Sequence, residues 1–261
     1  MMKWRTFTVV WILALALLLF AKHRDVVTEP TSVNSILDLT HTMNESSPTW
    51  DSSEQYRATN TASHEQHGYY TRDLALPEHF GTHIDAPAHF ARGLWTVDKI
   101  PTERLVRPLA VINIAPKAAK NPDYQLTVED LAAWEDVHGH IPPGAVVLLR
   151  TGWGDRWQNP KAFRNQDQNG VRHFPGFSIE AAQFLVDARY VVGIGTDTMS
   201  VDAGNSPDYP VHQYCASHSV YHLENVANLE ITPEAGTTLV VAPAKFENGS
   251  GAPARLFAML K

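Results

Sequence analysis

The sequence predicts a mixed α/β domain built around a buried sheet. Three observations predict it. Short aliphatic, β-branched runs recur along the chain, helical segments with clear start signals stand between them, and the composition can fill a core. Of 261 residues, 44% are hydrophobic and 19% charged, a balance that excludes a disordered chain. At about 150 residues per domain the length allows one or two domains. No repeat, low-complexity tract or interdomain linker divides the main body, which reads as one.

The first element stands apart. Lys3 and Arg5 precede an uninterrupted apolar run, Thr6 to Ala21, which ends at Lys22-His23-Arg24-Asp25. A charged start and an apolar centre mark a secretory signal. As a helix, sixteen residues would span only about 24 Å, short of the roughly 30 Å hydrocarbon core. Leu19 stands where a small residue would favour cleavage, so an uncleaved membrane anchor stays open. Residues 1–25 are read as signal or anchor and 26–35 as a polar tether. Residues 36–261 form the domain, expected to be secreted or periplasmic.

Within that domain, strands are expected at Ile36–Leu39, Leu109–Ile114, Ala145–Arg150, Val191–Gly195, Thr237–Ala242 and near Arg255–Met259. Thr127 can cap a helix with Glu129 and Asp130 in its first turn, Leu131 and Trp134 on one face, and Gly139 after its end. Ser178 can cap a second, with Ala181, Phe184, Leu185 and Ala188 at helical spacing. Seventeen prolines and fifteen glycines imply long, shaped loops, where sites usually sit.

Charge and cysteine usage narrow the function. The net charge of −7 argues against nucleic acid, whose phosphates need a basic stripe. A single cysteine, Cys215, excludes a disulfide framework, a four-thiolate zinc site and a CxxC redox pair. No Gly-x-Ser-x-Gly elbow occurs, which excludes that class of serine hydrolase. Gly193 and Gly195 follow a strand, but Thr198 takes the third glycine position of a dinucleotide fingerprint. The thirteen histidines are the unusual feature.

Leu76 to Phe90 reads LPEHFGTHIDAPAHF and holds His79, His83, Asp85 and His89. Pro77, Gly81 and Pro87 make a continuous helix improbable, so His79 and His83 are not the helical pair of an HExxH protease. In extended chain, residues two apart face the same way; His83 and Asp85 can converge on one ion, and Gly81 lets the backbone fold to bring His79 in. Such a set suits Zn2+, Mn2+ or Fe2+ with positions open for water and substrate. A solvated loop that binds nothing is the bland alternative. A second cluster, Val211 to Glu230, offers His212, His218, His222, Glu224 and Glu230, and its spacing settles no particular pair. His218 and His222 would share a face if the stretch were helical.

His79 to His89 (HFGTHIDAPAH) resembles the H-x-G-T-H-x-D-x-P-x-H signature of the metal-dependent cyclase-like hydrolases, which include bacterial kynurenine formamidase and isatin hydrolase. Ile36–Trp50, Val192–Asp202, His212 with Glu224-Asn-Val-Ala-Asn-Leu, and Lys245–Ala258 are similar to further blocks of that family. The resemblance implies a swivelling β/β/α domain that assembles as a homo-oligomer. It implies His79, His83, Asp85, His212 and Glu224 as metal ligands and His89 as catalytic acid/base, leaving His218 and His222 as local helix or loop residues. Two zinc ions are implied by the formamidase branch and manganese by the isatin hydrolase branch; Glu224 favours two ions.

The implied partner is a small-molecule amide, with an N-formylkynurenine-type aryl formamide first and a cyclic amide such as isatin second. Membrane contact would come only through an uncleaved N-terminal segment. Asp197 and Asp202 could orient a ligand histidine or merely end a strand. Trp50, Phe90 and Trp95 could stack a substrate or pack the core. Specificity is expected in the loops Asn44–Arg72 and Gly204–Val211. The rival from another class is a metal- or small-molecule-binding module without turnover; the intact His89 favours an enzyme.

Overall fold

The computed structural model describes residues 35–51 and 56–260. The apolar run 6–21 and all but the last residue of the tether lie outside the described residues. In chain order the strands are β1 (Ser35–Asp38), β2 (Arg57–Ala62), β3 (Thr71–Ala75), β4 (His83–Asp85), β5 (Val106–Asn113), β6 (Gln125–Leu126), β7 (Val146–Arg150), β8 (Gly176–Phe177), β9 (Gly193–Thr196), β10 (Tyr221–Glu224), β11 (Thr237–Pro243) and β12 (Gly251–Leu260). Three helices of eight or more residues are described: α1 (Val128–His138), α2 (Ile179–Arg189) and α3 (Pro210–Ser217).

β7 (VVLLR) shows how the sheet is made. Its side chains alternate between two faces, and both faces are apolar, as in a strand covered on both sides. Val146 and Leu148 join Leu109, Val111, Leu223, Leu239 and Leu256 in one core. Val147 and Leu149 join Ile112 and Ile194 against Leu131 and Trp134 of α1 and Ala181 and Leu185 of α2. The sheet runs β1-β12-β11-β5-β7-β9-β10-β4, and β4 pairs back onto β12, so seven strands close into a barrel-like ring. β5, β7, β9 and β10 are mutually parallel; β4 is antiparallel to both its neighbours. This is the single mixed α/β domain expected, and each of the six expected strands is present.

Both helices begin at their sequence signals, and the first also ends at its own. The Thr127 hydroxyl accepts from the Asp130 amide while the Asp130 carboxylate accepts from the Thr127 amide, closing a capping box, and Gly139 follows the last turn. The Ser178 hydroxyl accepts from the Ala181 amide. The glycine pair of β9 serves packing. A Cβ at Gly193 would lie 2.4 Å from the Tyr221 ring, and one at Gly195 2.6 Å from the Leu223 carbonyl oxygen. Small residues there let β9 and β10 approach. The ambiguous second cluster resolves into α3 followed by β10, a helix and a strand joined by three residues.

Candidate active site and metal centre

β4 and β10 build the floor of the site together. Their antiparallel register sets His83 opposite Glu224 and Asp85 opposite His222, with Ile84 and Leu223 between them in the core. Cross-strand partners lie on one face, so four side chains that can hold a cation project the same way. β12 flanks β4 on the other side and places Gly251 opposite Asp85. A Cβ there would stand 2.6 Å from His79 Cε1, so the missing side chain makes room for the His79 ring. α3 delivers His212 from its first turn. Gly81 has φ +63, the left-handed conformation that glycine adopts without strain. Its carbonyl accepts from both His83 Nδ1 (2.9 Å) and Asn225 Nδ2 (2.9 Å).

Asp85 is the hub. His79 Nδ1 is 2.6 Å and His83 Nε2 3.2 Å from its Oδ1; His212 Nε2 is 3.4 Å and His222 Nδ1 3.7 Å from its Oδ2. Glu224 closes the ring, its Oε1 3.1 Å from His212 Nε2 and its Oε2 3.5 Å from His83 Nε2. Each of three histidines has its outer nitrogen tied, which fixes the tautomer. His83 Nδ1 donates to the Gly81 carbonyl. His212 Nδ1 donates to Asp202 Oδ2 at 2.6 Å. The Ser250 hydroxyl donates to Glu78 and therefore accepts from His79 Nε2 at 2.9 Å. The inner nitrogens then present lone pairs to Asp85 and Glu224. His83 Nε2 is buried without a hydrogen-bond partner.

Lone pairs and carboxylates facing one another demand a positive charge. Burial alone would lower the pKa of His83, but the carboxylates of Asp85 and Glu224 beside it push it up to about 9. His212 is raised in the same way, against its burial, by Asp202, Asp85 and Glu224. Burial would raise Asp85, yet the surrounding histidines hold it well below the carboxylate range. A divalent cation satisfies this donor set as protons do, and the imidazole and carboxylate chemistry suits a first-row metal. Two overlapping triads have their donor atoms within 4.8 Å: His79, His83 and Asp85, and Asp85, His212 and His222.

His89 lies beside this cluster and lines the same cavity. Its ring stacks on His79 at 4.1 Å and borders a space of about 340 Å3 together with Trp50, Phe90, Met199 and Tyr209. The protein packed around it lowers its pKa, so the imidazole is neutral near pH 7 and can take a proton. Both expected loops supply wall: Pro48–Trp50 from one, Tyr209 from the other. Arg164 and Arg172 donate to the Thr49 and Trp50 carbonyls and hold the first. Trp95 is elsewhere, packed on the core under Arg104.

The structure thus brings His79, His83, Asp85, His89, His212 and Glu224 together, and leaves His218 exposed just past the last residue of α3, its Nδ1 donating to the Tyr214 carbonyl. His222 is a correction: it is neither helix nor loop but a buried member of β10 facing Asp85. The signal was present, since His222-x-Glu224 repeats the two-residue period of His83-x-Asp85. Asp202 orients His212, whereas Asp197 accepts from Thr151, Gly152 and Trp153 and staples the turn after β7. Its burial lifts its pKa to about 6. Ser250 carried no sequence signal, because it reaches His79 and the adjoining Glu78 only where β12 closes on β4.

A ring-shaped α/β sheet whose open face carries clustered imidazoles and carboxylates beside a neutral histidine defines a metal-dependent hydrolase. The chain belongs to the cyclase family: its residues 37–203 match the family model described as "Putative cyclase". It is 35% identical over 195 residues to an isatin hydrolase from Roseibium aggregatum, covering 72% of this chain and 73% of that one. It is 26% identical over 227 residues to a kynurenine formamidase from Salinibacter ruber, covering 85% and 95%. Isatin hydrolase A from Ralstonia solanacearum superposes with a TM-score of 0.84 at 34% identity, over 90% of this chain and 100% of that one. The enzyme is a metal-dependent hydrolase of non-peptide amide C–N bonds.

Proposed function

We propose that this enzyme opens a small, uncharged aryl lactam of the isatin type, with His79, His83, Asp85, His212 and Glu224 holding two divalent ions and His89 handling the proton. One observation carries the substrate class: no lysine or arginine lines the cavity among the described residues, while Trp50, Phe90 and Tyr209 wall it with rings. N-formylkynurenine bears an α-amino acid tail whose carboxylate would enter that space without a fixed counter-charge, a costly arrangement in a part-buried site. A neutral bicyclic amide needs none and can stack on the rings. The higher identity to isatin hydrolase supports the same order. An open-chain formanilide without a charged tail is the second reading, favoured by the kinship with kynurenine formamidases.

When bound, a divalent cation polarises the amide carbonyl and brings the pKa of a coordinated water down to about 7. The chain's own residues do the rest. Asp202, Gly81 and the Ser250–Glu78 pair keep each imidazole aimed inward. Neutral His89 accepts a proton from the attacking water and returns it to the departing aryl nitrogen, which leaves as the amine rather than its anion. Zinc is the ion we favour, with manganese second. The apolar run 6–21 is proposed to take the domain across a membrane, leaving it released or anchored.

The test uses protein stripped with EDTA and reloaded with Zn2+ or Mn2+, assayed side by side on isatin, formanilide and N-formylkynurenine. Recovery of hydrolysis with kcat/KM highest for isatin is expected. Turnover of N-formylkynurenine as fast as that of isatin overturns the substrate class, and inertness of the reloaded protein toward all three leaves the binding-module reading.

A further inference from the structure

His222 sits where the assigned ligand set has a gap. Only 2% exposed, it lies directly across the β4–β10 ladder from Asp85. Neither of its ring nitrogens has a hydrogen-bond partner. Its Nδ1 is 3.7 Å from Asp85 Oδ2, too far for a hydrogen bond. A buried imidazole with both nitrogens unpartnered has given up its hydrogen bonds to water without replacement, and leucine or phenylalanine would fill the same place without that loss. Its ring stands 4.6 Å from that of His212, inclined by 71°. The two nitrogens and the second oxygen of Asp85 therefore converge from different directions, with donor atoms within 4.8 Å of one another.

We propose that His222 is a direct ligand of the second metal ion, Asp85 bridging it to the first: His79 and His83 take one ion through Oδ1, His212 and His222 the other through Oδ2. This rests on the two-ion reading above and adds a ligand to it. It also explains the arrangement of the hub, in which each carboxylate oxygen faces two histidines. His222 then holds the second ion from the strand side and His212 from the helix side, so that ion couples α3 to the sheet.

The experiment counts ions in the full-length protein, stripped and then dialysed against excess Co2+ and separately Zn2+. Wild type should hold two per chain. His222→Ala should hold one, its second-ion affinity falling by more than about tenfold, since removing even an outer-shell partner of a ligand costs about 10–100-fold. His222→Cys should regain the second Co2+ and show a thiolate-to-cobalt charge-transfer absorption, which a merely structural residue would not produce. Two ions of unchanged affinity in His222→Ala, or a His222→Cys protein that folds and binds two Co2+ without that absorption, overturns the proposal alone. One ion in wild type overturns the two-ion reading instead, and circular dichroism of each variant separates lost binding from lost fold.

Discussion

Asp202→Asn separates holding a helix from aiming a ligand. The carboxylate accepts three N–H groups: Val211 N at 2.9 Å on Oδ1, and His212 N at 3.0 Å and His212 Nδ1 at 2.6 Å on Oδ2. Asparagine has one acceptor oxygen. If that oxygen stays on Val211, the amide N–H groups face His212, whose ring must carry its proton on Nε2 instead. The lone pair then points at Asp202's position and is lost to the Asp85–Glu224 side. If the amide turns over, His212 keeps its tautomer but the Val211 amide at the start of α3 loses its acceptor. Either state removes the negative charge from the helix N-terminus, worth about 0.3–1 kcal/mol, and strands a donor, worth about 1–3 kcal/mol.

The metal-free protein should therefore melt lower by an amount matching about 1–4 kcal/mol. Metal affinity should fall about 10–100-fold, or about 1.4–2.8 kcal/mol, the range for an outer-shell partner of a ligand histidine. Chelator competition on stripped protein gives the second number, and thermal melting without metal gives the first. Wild-type metal affinity in a variant that melts lower would mean that Asp202 serves α3 alone and that His212 is no ligand.

His89→Ala should keep its full metal content and lose about 10²–10⁴-fold in kcat; metal loss measured alongside the rate would make His89 a ligand. Gly251→Ala puts a methyl 2.6 Å from His79 Cε1 and 2.7 Å from the Ile84 carbonyl oxygen. It should cost about 1–3 kcal/mol by overpacking and weaken metal binding, both read by titration and melting of the same sample. His41 stacks on Trp157 at 4.1 Å with its Nε2 buried and unpartnered, and burial lowers its pKa from 6.5 to about 4. The unfolded state takes up this proton first, so the contribution is whole above pH 6.5 and shrinks as pH falls toward 4, by at most about 3 kcal/mol. His41→Phe, which keeps the stack, should flatten the stability difference across that window in denaturant titrations; an unchanged slope would place the acid sensitivity elsewhere.

The parts of the fold that the sequence discloses are those governed by near neighbours. Thr127 with Asp130, and Ser178 with Ala181, are capping contacts three residues apart, and each starts its helix where the hydroxyl stands. β7 and β5 are legible because both their faces are apolar. β4 is a different case. Three residues that include a histidine and an aspartate have no strand propensity worth the name. They are extended because β10 and β12, more than 130 residues away in sequence, bind both their edges. The same closure hides Ser250 from any local reading, although its hydroxyl, held by Glu78, sets the tautomer of His79.

The site is legible to the extent that its chemistry repeats a short period. His83-x-Asp85 discloses one face of a strand, and the family likeness supplied His212 and Glu224 from the far end of the chain. His222 was missed because a helical spacing to His218 competed with a strand spacing to Glu224, and the sequence alone does not rank them. The fold ranks them through one register: with His83 opposite Glu224, Asp85 can only meet His222. A slip of one residue in that ladder would turn one strand's pair, His83 and Asp85 or His222 and Glu224, into the core, where a carboxylate and an imidazole have no solvent and no ion. The apolar pair Ile84 and Leu223, both fully buried, fixes the register against that slip. The packing of two aliphatic side chains thus decides where the metal donors point.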